Sequence, residues 1–77
     1  MEERKLFGRY LRALRVSLRL PLKEASEKLG LGHISVLENW EQGLELPPLE
    51  MSKRIAEVYG ATEEEVSDIL KIEWTHI

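Results

Sequence analysis

The chain has 77 residues, 43% of them hydrophobic, which suffices for one small domain and not for two; at this size a domain buries only about 60% of its unfolded surface. The charged fraction is 32% and the formal net charge is −3, mixed in sign beside enough apolar residues for a core, which excludes an intrinsically disordered chain. No run of apolar residues exceeds two, so neither a membrane-spanning helix nor a signal-peptide core is expected, and with no cysteine there is no disulfide and no thiolate metal site.

In chain order, the first predicted helix carries Phe7, Leu11, Leu14 and Leu18 at spacings of four, three and four, with Leu6 and Tyr10 widening the stripe. Between them Arg9, Arg12, Arg15 and Arg19 form a basic ridge. Pro21 fixes its own φ and restricts Leu20, so it separates this helix from a short second one built on Leu22, Ala25, Ser26 and Leu29. Gly30 stops the second helix, and with Gly32 it makes residues 30–32 a sharp turn. Ile34, Leu37 and Trp40, three apart, mark a third helix that ends at Gly43. Pro47 and Pro48 set the start of a fourth near Leu49, with Ile55, Ala56 and Tyr59 as its buried face, Met51 or Ser52 close by, and Gly60 as its stop. Thr62-Glu63-Glu64-Glu65 is a capping box that opens a fifth helix, its acids favourably placed against the helix dipole and its apolar face made by Val66, Ile69 and Leu70. No alternating β-branched run occurs. The expected fold is all-α, five short helices in a single domain over 1–77, with a core over residues 6–70 and a tail over 71–77.

The net charge conceals a division. Residues 1–23 hold seven basic groups against Glu2 and Glu3, a local +5, whereas residues 24–77 hold four basic and twelve acidic groups, a local −8. Such asymmetry points to a polyanionic partner for one end of the molecule, or to a solvated basic helix face.

Helix, glycine-containing turn, helix is the pattern in which a second helix enters the DNA major groove, although any small bundle contains such pairs. Leu11-Arg12-Ala13-Leu14-Arg15, Leu20-Pro21-Leu22-Lys23-Glu24, Glu27-Lys28-Leu29-Gly30, and Trp40-Glu41-Gln42-Gly43 with Pro47-Pro48-Leu49 together make the pattern specific. Over residues 6–70 the chain resembles the Cro/cI (XRE) family of phage-repressor-like helix-turn-helix domains.

The resemblance implies a sequence-specific regulator of double-stranded DNA, a homodimer on a two-fold operator acting by occupancy. Aligned backward from Glu41-Gln42-Gly43, it implies base contacts by Ile34, Ser35 and Asn39, and backbone contacts by Arg15, Arg19, Lys23, His33 and Gln42. The chemistry suits these roles. An Asn amide pairs with adenine N7 and N6, a Ser hydroxyl donates or accepts, and an Ile meets a thymine methyl. The resemblance also implies an ion pair between Arg15 and Glu41, which would make Glu41 structural. Ile69, Ile72 and Trp74 are the candidate dimer contacts, with the alternative that Trp74 tucks back into its own core.

Three departures from the family pattern bear on DNA binding. The turn between the second and third helices is one residue longer than usual, Leu22 stands where many relatives carry a phosphate-binding Gln, and the segment after Gly43, often basic, is Leu44-Glu45-Leu46. Acids there oppose phosphate, so the positive charge must come from Arg9, Arg12, Arg15, Arg19 and Lys23, with backbone amides at the start of the second helix. Glu38, within the third helix, accepts from a cytosine amine or repels phosphates. A protein-interaction module using Leu44, Leu46 and the proline turn is the alternative. An enzyme is not expected: His33 and Ser35 lack a third orienting group, His76 lies in the tail, and Gly30-Leu31-Gly32 is no phosphate loop. No cofactor, metal, small-molecule ligand or membrane partner is expected.

Overall fold

The computed structural model describes residues 5–75; Glu2, Glu3 and Arg4 of the N-terminal segment and His76 and Ile77 of the tail lie outside the described residues. The chain forms α1 (Lys5–Ser17), α2 (Leu22–Lys28), α3 (Ile34–Gln42), α4 (Ser52–Tyr59) and α5 (Glu63–Thr75), with a 3-10 turn, Leu49–Met51, leading into α4. All the helical elements read from the spacing are present, and no strand occurs among the described residues. α3 packs between α1 and α2, while α5 lies along α4 and closes against α1. No described helix is long and apolar enough to cross a membrane.

One core serves all five helices. Phe7 and Leu11 meet Leu29, Leu37, Trp40, Ile55, Tyr59, Val66 and Leu70 in it, each almost without solvent contact. Full burial of one such aliphatic or aromatic side chain contributes about 1.5–3 kcal/mol. Three residues of the predicted stripes fall outside. Leu18 is 49% exposed because α1 ends at Ser17, one residue short of it. Leu6, on the flank of α1, is 51% exposed. Ile34 shares the three-residue spacing of Leu37 and Trp40, but positions three apart drift by about 60° around a helix. The core takes the last two and leaves Ile34 38% exposed.

The helix ends repeat one device. After α1, α2, α3 and α4 a residue two or three positions past the helix end donates its N–H back five positions: Leu20 to Arg15 O at 3.1 Å, Leu31 to Ser26 O at 3.0 Å, Leu44 to Asn39 O at 2.9 Å, and Ala61 to Ala56 O at 3.0 Å. Each reversal passes through a residue with left-handed φ: Arg19 at 55°, Gly30 at 77°, Gly43 at 79° and Gly60 at 74°. Glycine adopts that region freely, whereas an L side chain there costs about 1–2 kcal/mol. At the other end of α5, the Thr62 hydroxyl accepts from the Glu65 N–H at 3.1 Å, the N-cap half of the capping box.

Two interactions of the last turn of α5 close the molecule. Glu73 is 2% exposed, and its carboxylate accepts the Phe7 N–H at 2.9 Å, placing a negative group at the N-terminus of α1. Trp74 donates its indole N–H to the carbonyl of buried Pro47 at 2.9 Å, tying α5 to the segment that follows α3.

Candidate nucleic-acid interface

α3 is oriented from three sides. Its start is fixed by the Ser26 hydroxyl, buried in α2, which donates to the carbonyl of the N-cap residue His33 at 3.3 Å. Its end lies directly against α1. A Cβ on Gly8 would stand 2.5 Å from Glu41 O and 2.6 Å from Trp40 O, so only glycine lets the two backbones approach this closely. Beside this contact Arg15 Nε donates to Glu41 Oε2 at 2.7 Å and Nη2 to Oε1 at 3.1 Å, a bidentate pair whose side chains are 13% and 6% exposed. Nη1 of the same guanidinium donates to Leu20 O at 3.0 Å. One arginine therefore ties together α1, the corner leading into α2, and the end of α3.

The pair shapes its own electrostatics. Its hydrogen bond to Glu41 holds the Arg15 guanidinium above its usual pKa, with burial opposing. The Tyr59 phenol is pushed up to about 12, first by burial and then by the charge of Glu41, with Arg15 opposing. The Tyr59 hydroxyl, 2% of the residue being exposed, has no hydrogen-bond partner among the described residues.

With Leu37, Trp40 and Glu41 turned inward, α3 presents Ser35 and Gln42 to solvent, both exposed, and Glu38 and Asn39 on either flank, half-buried. Asn39 also closes the helix: its carbonyl accepts from Leu44 N at 2.9 Å and from Glu45 N at 3.3 Å. His33 and Ile34 are exposed at the opposite end of the helix. Between α1, the first turn of α2 and the second half of α3 runs a cleft of about 280 Å³ lined by Arg12, Arg15, Leu22, Glu38, Glu41 and Gln42. It continues into a more open one of about 460 Å³, where Arg9, Arg12 and Gln42 meet Leu44. The ridge of α1 thus borders the exposed face of α3 through Arg9 and Arg12, and the acid Glu38 shares the smaller cleft with Arg12. Arg19 and Lys23 are exposed at the corner between α1 and α2, outside the cleft.

The three candidate dimer residues do not share one face. Ile69 and Ile72, three apart, sit on one flank of α5, Ile69 partly buried on its own core and Ile72 48% exposed. Trp74, about 200° further round than Ile72, lies on the other flank. It leans on Pro47 and keeps 40% of its surface exposed.

Sequence reasoning missed Gly8 and Ser26, which position this face, and Glu73, which closes α5 on α1. Each carried a signal: a glycine inside a helical stripe, a serine at a buried helical position, and an acid in register with Val66 and Leu70.

The sequence model of the helix-turn-helix domain family matches residues 6–69. No curated protein and no solved structure matches the chain.

Proposed function

Because the chain belongs to the helix-turn-helix domain family, we propose that it is a transcriptional regulator of the Cro/cI kind, which reads duplex DNA with α3 and represses by occupying an operator. One observation carries this reading: the solvent face of α3 offers Ser35, Asn39 and Gln42 as hydrogen-bonding groups, and the arginines of α1 flank that same face across the cleft. Charge and readout are thereby on one side of a molecule whose total charge is negative.

In this reading Ser35 and Asn39 contact base edges and Ile34, exposed at the helix start, meets a thymine methyl. Gln42, His33, Lys23 and Arg19 contact the backbone, joined by Arg9 and Arg12. Arg15 is committed first to Glu41 and Leu20, so its contribution to DNA is chiefly to hold α3 at its angle. Glu38 beside Arg12 weakens the sequence-independent part of the attraction, which favours operator over bulk DNA. Two copies meeting through the Ile69 and Ile72 flank of α5 double the contacts on a two-fold site.

Selection from a random duplex pool, followed by anisotropy titration across salt, tests the reading. An enriched sequence is expected, and Asn39→Ala should cost about 1–3 kcal/mol at a single base position. Equal loss on every sequence would remove Asn39 from base readout. No enrichment and no binding at about 50 mM salt would overturn DNA binding itself. Leu44, 61% exposed at the mouth of the cleft, would then favour the second reading, a protein-interaction module on the same fold.

A further inference from the structure

The four helix reversals share one hydrogen-bond pattern but not one residue type. Gly30, Gly43 and Gly60 occupy the left-handed position after α2, α3 and α4, and Arg19 occupies it after α1. Arginine is a poor residue for that backbone conformation: apart from glycine, only Asn, Asp and His are enriched there. Internal contacts do not explain its presence. The side chain is exposed, and no hydrogen bond or ion pair from its guanidinium is found among the described residues. Strain kept in a backbone is a pointer to function when the surrounding structure fixes it. Here it is fixed doubly, by Arg19 N–H to Val16 O at 2.9 Å and Leu20 N–H to Arg15 O at 3.1 Å.

The location gives the strain a use. Arg19 precedes Leu20, whose carbonyl holds the Arg15 guanidinium, and stands three residues before Leu22, which lines the cleft with Arg12 and Gln42. Its Cα is thus held at the corner of the proposed DNA face, on backbone that the Arg15–Glu41 pair ties to α3. We propose that Arg19 is a pre-positioned phosphate anchor, a cation whose strained backbone lowers the stability of the fold and raises its affinity for the DNA backbone irrespective of sequence. A guanidinium suits the task because its planar fork meets two phosphate oxygens at once. The inference rests on the DNA-binding reading, in which Arg19 already meets the DNA backbone, and adds that at this residue stability and binding oppose each other.

Three substitutions test it on the full chain. Arg19→Gly should melt about 4–8 °C higher than the wild type. The same variant should bind the selected duplex and a scrambled one roughly tenfold more weakly. The slope of log K against log salt should become shallower by about one. Arg19→Asn, which tolerates the left-handed backbone without a charge, should lose the same affinity and salt dependence. Arg19→Lys, which keeps charge and strain, should hold most of the affinity and gain no stability. Wild-type affinity and salt slope in Arg19→Gly would overturn the proposal while leaving the DNA reading intact. So would an unchanged melting temperature, or a loss confined to one base position. A wild type that binds no duplex would overturn both.

Discussion

Tyr10 and Tyr59 are the two tyrosines of the chain, and both phenols resist ionisation. Burial raises Tyr10, helped by the charge of Glu65; burial pushes Tyr59 up to about 12, helped by Glu41. An unfolded chain releases these protons near pH 10, so between pH 10 and about 12 the native state binds more protons than the unfolded state, and stability falls as pH rises through that window. Below pH 10 both states hold the protons and this contribution to stability is fully present. Titration of tyrosinate absorbance should therefore show less than half of the phenols ionised at pH 10, the midpoint of a free tyrosine. Tyr59→Phe should flatten the fall of the urea midpoint between pH 10 and 12. A normal titration for both rings would place the phenols in water and remove Tyr59 from the neighbourhood of the ion pair. Nothing in the sequence marks Tyr59 as the neighbour of Arg15 and Glu41, because they lie 44 and 18 positions before it.

At the scale of elements, the helices were legible because their determinants are local. A 3.6-residue apolar period and glycine or proline punctuation act within a turn or two, and these placed α1 to α5 and the end of α3 at Gly43. The packing of one element on another was not legible, since Gly8 reads as a weak point of α1 until α3 is laid against it. Alanine at an exposed helix position is better than glycine by about 1 kcal/mol. At Gly8 the order should reverse: the new Cβ meets two backbone carbonyls that cannot yield independently, and Gly8→Ala should lose about 1–3 kcal/mol in urea unfolding. A stabilised Gly8→Ala would mean that α1 and α3 stand further apart. The candidate site divides the same way. The identity of the α3 residues was readable from the cap that ends the helix, but the meeting of Arg9 and Arg12 with Gln42, and of Arg12 with Glu38, was not, because it depends on the angle at which Gly8 and Arg15 hold α3.

For the molecule as a whole, α5 is both closure and proposed interface, and the two roles must be tested separately. Removing residues beyond Leu70 would delete Glu73 and Trp74, and with them the bonds to Phe7 and Pro47, so loss of a dimer in such a truncation would report unfolding. Ile72→Glu changes the outer flank and leaves both bonds in place. Sedimentation equilibrium should show a dimer for the wild type and a monomer for Ile72→Glu with equal helix content; identical masses for the two would take this flank out of the interface. The closure has a further consequence in time. The Phe7–Glu73 bond spans 66 positions, so α1 receives the carboxylate at its leading end only after the positions between them have been made. Synthesis at about 5–20 residues per second makes that delay roughly 3–13 s. α1 is thus made well before the group that completes it, and a chain stopped short of Glu73 carries the arginine ridge on a helix whose leading end is unfinished.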